Sequence, residues 1–242
     1  RATSGNAAVQ NEAYIDTRRE WEAEIEDFAG VSEPAIYSSG ASWTIYTTTA
    51  FKPAVYAISS VGNQIWKKSF PDPNGSVSIF GSPAIDRTTG TIYVAVHRYG
   101  LVALNPDTGE TEWENTDVCT DQGELWSGHG KIVLGSDGGI YLTERNTVMC
   151  FDTEGQQNWT HEVEEDLVDI IVGANDILYL KTEEGTIYAV NSDGDQLWSL
   201  SIEVQHPPNT VGMIIDLSGN IVTAIDSSLV KVDSTGNLVW ET

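Results

Sequence analysis

The chain has 242 residues and is 40% hydrophobic, an ordinary globular composition that fills one large domain or two small ones and excludes a disordered polymer. Its charge is unusual: 12 Lys and Arg stand against 36 Asp and Glu, a formal net charge of −24. Such a surface repels nucleic-acid phosphates and anionic lipid, so neither is an expected partner. It fits a cationic partner, a divalent ion, simple solubility, or a saline setting in which dissolved ions screen the self-repulsion.

Residues 1 to 30 form a first unit. From residue 6 to residue 29 there is no Gly or Pro, and Ala and Glu are frequent. Tyr14, Trp21, Ile25 and Phe28 fall near one face of a 3.6-residue period, and Gly30 is a natural stop. The pattern predicts an amphipathic α-helix over about residues 7 to 28. Its apolar face has three alternative destinations: the rest of its own chain, a neighbouring subunit, or a place below a removed membrane anchor. No stretch is long and apolar enough to be a spanning helix. The chain starts at Arg1 without Met or a signal-like segment, which leaves two readings, a mature exported form or a chain whose leader or anchor has been removed.

Residues 31 to 242 read as twenty short strands in five groups of four. The first group is "SEPAIY", "WTIYTTT", "AVYAIS" and "NQIWKK". The second is "SPAID", "TIYVAVH", "LVALN" and "ETEWE", the third "KIVLGS", "GIYLTE", "TVMCFD" and "QQNWTH". The fourth is "VDIIVGA", "ILYLKT", "TIYAVN" and "DQLWSL", the fifth "GMIIDL", "NIVTAI", "LVKVDS" and "NLVWET". These runs are rich in β-branched and aromatic residues and are separated by Asp, Asn, Gly and Thr turns.

Each group ends on a tryptophan: Trp66, Trp113, Trp159, Trp198 and Trp240. Each Trp follows a glycine by four residues (Gly62, Gly109, Gly155, Gly194, Gly236), at a hairpin that needs a left-handed residue. A repeat of 39 to 47 residues built from four strands predicts an all-β fold, a β-propeller of about five blades. The tryptophans are expected to pack as structural docking residues between blades, where a large flat side chain buries about 200 Å².

"ALNPDTGETEW" resembles the tryptophan-docking repeat of the pyrroloquinoline-quinone-type β-propellers, with Ala103, Gly109 and Trp113 on the motif positions. "AISSVGNQIW" and "AVNSDGDQLW" keep the pattern with Ala57 and Ala189, whereas the small-residue place holds Cys150 in group three and Lys231 in group five. The resemblance implies one of two kinds of protein. One is a quinone-dependent dehydrogenase. The other is a non-catalytic scaffold, such as the lipoprotein propeller of the outer-membrane barrel-assembly machinery. Family members usually have more blades, most often eight. The dehydrogenases are also marked by calcium-bound quinone, and the alcohol enzymes often carry adjacent cysteines, which this chain lacks.

Other chemistry is sparse. No nucleophile elbow or zinc helix motif occurs, and His97, His129, His161 and His206 have no ligand spacing. "GHGKIVLG" at 128 to 135 lacks the Lys-Ser/Thr pair of a phosphate loop. The Asp-rich turns at 136 to 139 and 191 to 196 could hold calcium but are equally explained as hairpins, and no other cofactor is expected. Cys119 and Cys150 leave two readings, a disulfide in an exported protein or, for Cys150, a small buried hydrophobe. Asn74 and Asn158 open N-x-S/T sequons and are candidate glycosylation sites. The expected function is a non-enzymatic extracellular or cell-envelope module for protein interaction or self-assembly, in its most concrete form a subunit of a surface filament or pilus. The alternative is a lectin-like propeller with a glycan site on each blade.

Overall fold

The computed structural model describes residue 25 and residues 32–39, 42–50, 52–72, 75, 77–79, 81–118, 130–203 and 212–242. These form five four-stranded antiparallel sheets, each in simple up-and-down order. Blade one contains β1 (Ala35–Ser39), β2 (Ser42–Thr49), β3 (Ala54–Ser59) and β4 (Gln64–Ser69). Blade two contains β5 (Ala84–Ile85), β6 (Ile92–Val96), β7 (Gly100–Leu104) and β8 (Thr111–Asn115). Blade three contains β9 (Ile132–Leu134), β10 (Ile140–Glu144), β11 (Thr147–Phe151) and β12 (Gln157–Glu162). Blade four contains β13 (Leu167–Val172), β14 (Leu178–Thr182), β15 (Thr186–Val190) and β16 (Gln196–Ser201), with a single 3₁₀ turn at Ala174–Asp176. Blade five contains β17 (Met213–Ile215), β18 (Ile221–Ile225), β19 (Ser228–Val232) and β20 (Leu238–Glu241).

Each blade is two-faced because side chains alternate along a strand, and both faces of the central strands are apolar. In blade two, β6 and β7 are buried at every position. Val94, Val102 and Leu104 join the core shared with blade one, while Tyr93, Leu101 and Ala103 join the core shared with blade three. Further cores lie between blades three and four and between four and five. First strands of successive blades adjoin, β1 with β5, β5 with β9, β9 with β13 and β13 with β17. Among the described residues no comparable contact joins β17 back to β1. The expected N-terminal α-helix lies outside the described residues, except for Ile25. That residue is half-buried against Ala54, Tyr56 and Ile58 on the outward face of blade one.

Candidate interaction surfaces

The seams between blades share one construction. Strand register sets a Tyr, a small residue and a Trp in line across three strands: Tyr46–Ala57–Trp66 in blade one and Tyr93–Ala103–Trp113 in blade two. Tyr141–Cys150–Trp159 and Tyr179–Ala189–Trp198 repeat it in blades three and four. The small central residue lets the two rings approach, and their centroids lie 5.8 to 5.9 Å apart in all four blades. Each Trp then reaches into the next blade. Its Nε1 donates to the backbone carbonyl of Pro106 (2.8 Å), Thr153 (2.7 Å), Ser192 (2.8 Å) and Ser234 (3.1 Å), respectively.

The glycine of that receiving turn lies flat against the indole. A Cβ on Gly109 would come within 2.6 Å of Trp66, and one on Gly155 within 2.5 Å of Trp113. Gly194 and Gly236 stand in the same relation to Trp159 and Trp198. The glycine therefore satisfies two demands, the left-handed turn and the close approach of the previous blade's ring.

Trp240 departs from the expected equivalence of five tryptophans. It is 38% exposed and makes no such bond among the described residues. Its row also differs: Val222 replaces the tyrosine and Lys231 the small residue. Lys231 pairs with Asp216 at 2.7 Å, which with the Asn220 amide holds the Asp216 carboxyl below its usual range. Ile214 (66%) and Leu229 (51%) are exposed on the same sheet.

A family profile described as outer membrane protein assembly factor BamB matches residues 13–154 and again 144–242. The chain belongs to this family. A curated relative, the outer membrane protein assembly factor BamB of Nitrosomonas eutropha, is 26% identical over 185 residues, which cover 74% of this chain and 42% of the relative. The crystal structure of BamB from Moraxella catarrhalis superposes with a TM-score of 0.58 at 18% identity, covering 86% of this chain and 62% of that one. A Bacteroides caccae protein of unknown function gives 0.57 at 13% identity, covering 91% and 84%. The two structures establish likeness of fold. The chain spans less than half the length of its curated relative and under two thirds of the Moraxella protein.

Within this BamB-type fold, an ionic cluster with Asp169 and Lys181 buried and Lys131 exposed ties blades three, four and five together. Asp169, 4% exposed on β13, accepts from the Lys131 ammonium of blade three and from the Met213 backbone N–H of blade five. Lys181, wholly buried on β14, donates to the Thr223 hydroxyl (3.1 Å) and the Ala224 carbonyl (3.0 Å) of blade five. Burial pushes the Lys181 ammonium down to about 8, and the Asp169 charge opposes that shift.

The other predicted residues are dispersed. Cys150 is a free thiol, 4% exposed and pushed up to about 11 by burial, so the expected Cys119–Cys150 disulfide is not found at Cys150; Cys119 lies outside the described residues. The reason Cys150 is buried is the one its row supplies: it holds the small-residue place beneath Trp159. Asn158 is exposed on β12, whereas Asn74 lies outside the described residues, as do Tyr14, Trp21 and Phe28. His161 Nδ1 lies 3.1 Å from the Gly194 carbonyl in the seam to blade four, His97 bridges to Ser78, and His129 and His206 are outside the described residues. Among the described residues no group of three or more His, Cys, Asp or Glu side chains is placed to hold a metal ion, and no helix is long and apolar enough to cross a membrane.

Two features escaped sequence reasoning. The row tyrosines carried a readable signal, since each precedes its tryptophan by 18 to 20 residues. The Lys131–Asp169–Lys181 cluster left only a faint one, a lysine inside the otherwise apolar run "ILYL" to "KT".

Proposed function

We propose that this chain is a non-enzymatic cell-envelope module that binds protein partners during outer-membrane assembly. The observation that carries the reading is membership, over nearly the whole chain, of a family described as outer membrane protein assembly factor. The site chemistry is compatible with it: four of the five repeated tryptophans are committed to seams, and the buried charges Asp169 and Lys181 are satisfied by the exposed Lys131 and by groups of the next blade. One surface open to partners among the described residues is the outward face of blade five, where Ile214, Leu229 and Trp240 are exposed beside the Lys231–Asp216 pair. That face also supports the self-association version of the reading, a surface-assembly subunit.

The test is envelope fractionation of the native organism combined with a photo-crosslinking amino acid at position 240. Recovery with the envelope and crosslinks to outer-membrane assembly proteins, or to a second copy, support the proposal. Recovery in the cytosol with no crosslinked protein overturns it.

A further inference from the structure

The seam between blades two and three differs from the seam before it and the seam after it. Between blades one and two, Tyr37 fills the space over the first hairpin of blade two, and a Cβ on Gly90 would come within 3.1 Å of its ring. Strand register makes Asp86 the equivalent of Tyr37: Ala35 lies opposite Tyr46 and Ala84 opposite Tyr93, and each is followed two residues later by Tyr37 or Asp86. Asp86 does not fill the space. Its carboxylate turns back on its own hairpin and accepts from the Thr88 N–H (2.7 Å) and the Thr89 N–H (3.4 Å). On the facing wall, blade three offers glycine: a Cβ on Gly138 would meet nothing closer than Thr153 at 3.5 Å. The next seam is tied shut, because Ser136 donates to Asp176 from its backbone N–H (2.6 Å) and its hydroxyl (2.8 Å).

The outcome is a cleft of about 400 Å³ between blades two and three, a size suited to a small ligand. Its floor is aliphatic, from Ile85, Leu134 and Ile140. Tyr93 lines it while 3% exposed, and its hydroxyl has no hydrogen-bond partner among the described residues. This contrasts with Tyr46, the same row position in blade one, whose hydroxyl donates to Pro106. Arg87, on the rim, carries no ion pair among the described residues although the protein has three carboxylates for every cation. Thr88 adds a hydroxyl, while that of Ser136 is already donated to Asp176.

We propose that this cleft binds a neutral, hexose-sized polyhydroxylated ring. The aliphatic floor suits the C–H face of a sugar ring. The Arg87 fork suits a pair of adjacent hydroxyls, and the Tyr93 side chain lines the cleft with a hydroxyl able to donate. Burial, and after it the charges of Asp86, Glu112 and Glu154, disfavour ionisation of Tyr93, and the same three charges disfavour an anionic ligand. This is one site in one seam. It does not repeat on each blade, and it stands independently of the assembly role.

The experiment is ligand-observed saturation-transfer NMR on the intact chain. The probes are D-glucose, D-galactose, D-mannose and N-acetyl-D-glucosamine, with D-glucuronate as the anionic comparator. At least one neutral sugar is expected to show contact. The signal should vanish in Asp86→Tyr, which rebuilds the plug that Tyr37 forms in the first seam. It should weaken about tenfold in Arg87→Ala and in Tyr93→Phe, the loss of one good hydrogen bond. Arg87 is an exposed side chain, so its variant keeps the test decisive if Asp86→Tyr folds poorly. No contact with any neutral sugar, contact with glucuronate alone, or binding unchanged in both Asp86→Tyr and Arg87→Ala overturns the proposal.

Discussion

The four interior seams and the outward face of blade five use the same residue position in opposite ways. In the seams, a tryptophan lies on a small residue, meets a tyrosine on one side and a glycine turn on the other, and donates to the next blade's carbonyl. At blade five the tryptophan is present, but its small residue is lysine, its tyrosine is valine, and its indole is 38% exposed. The difference teaches that tryptophan alone does not make a docking site. The receiving glycine makes the contact possible, and the row beside the ring makes it fit.

The largest expected break in that comparison is Trp66→Ala. Trp66 is 8% exposed, and its loss removes the ring from a packed core together with a cross-blade hydrogen bond. The expected cost is about 3–5 kcal/mol in urea unfolding. Asp169→Asn follows at about 3 kcal/mol, because it leaves the wholly buried Lys181 without its nearby counter-charge. An equal loss at an exposed acid such as Glu110 would show that net charge, not the cluster, governs stability.

The glycine contribution is isolated by a pair of substitutions. Gly155 and Gly219 have nearly the same backbone, φ 81° and 80°, but an added Cβ strikes Trp113 at Gly155 and meets nothing within 4 Å at Gly219. Gly219→Ala should cost only the left-handed strain, about 1–2 kcal/mol. Gly155→Ala should cost measurably more, and equal values would remove the indole contact from the account.

A pH series sharpens the role of the cluster. Lys181 has a folded value of about 8 against an ordinary 10.5. Between those pH values the unfolded chain binds more protons than the folded one, so stability rises with pH there, and the burial penalty is complete below about 8. The unfolding free energy of the wild type should therefore climb relative to Lys181→Met from about pH 8 to 10.5. A flat difference would show that Lys181 keeps its ordinary proton affinity. The smallest effect belongs to Trp240→Ala, under about 1 kcal/mol, since among the described residues its indole is 38% exposed.

Much of this was legible in the chain. Strand runs such as "TIYVAVH" and "LVALN" announce themselves by β-branched content, and the Gly-to-Trp spacing of four residues marks every outer hairpin. The cleft was not legible. Tyr37 and Asp86 look unrelated in sequence, and only their common place two residues after Ala35 and Ala84 in the ladder reveals that one fills a seam and the other leaves it open. The second role of the glycines was hidden for a similar reason: the indole pressed against Gly109 comes from a tryptophan 43 residues earlier.

The sequence by itself determined the repeat, the number of four-stranded sheets and the position of each tryptophan, because strand period and turn chemistry act over two to five residues. The tertiary structure alone decided which tryptophans are docked, which lysine is buried and which seam is open. Those outcomes depend on what the neighbouring blade places opposite each side chain, roughly forty residues away along the chain, where local propensity carries no information.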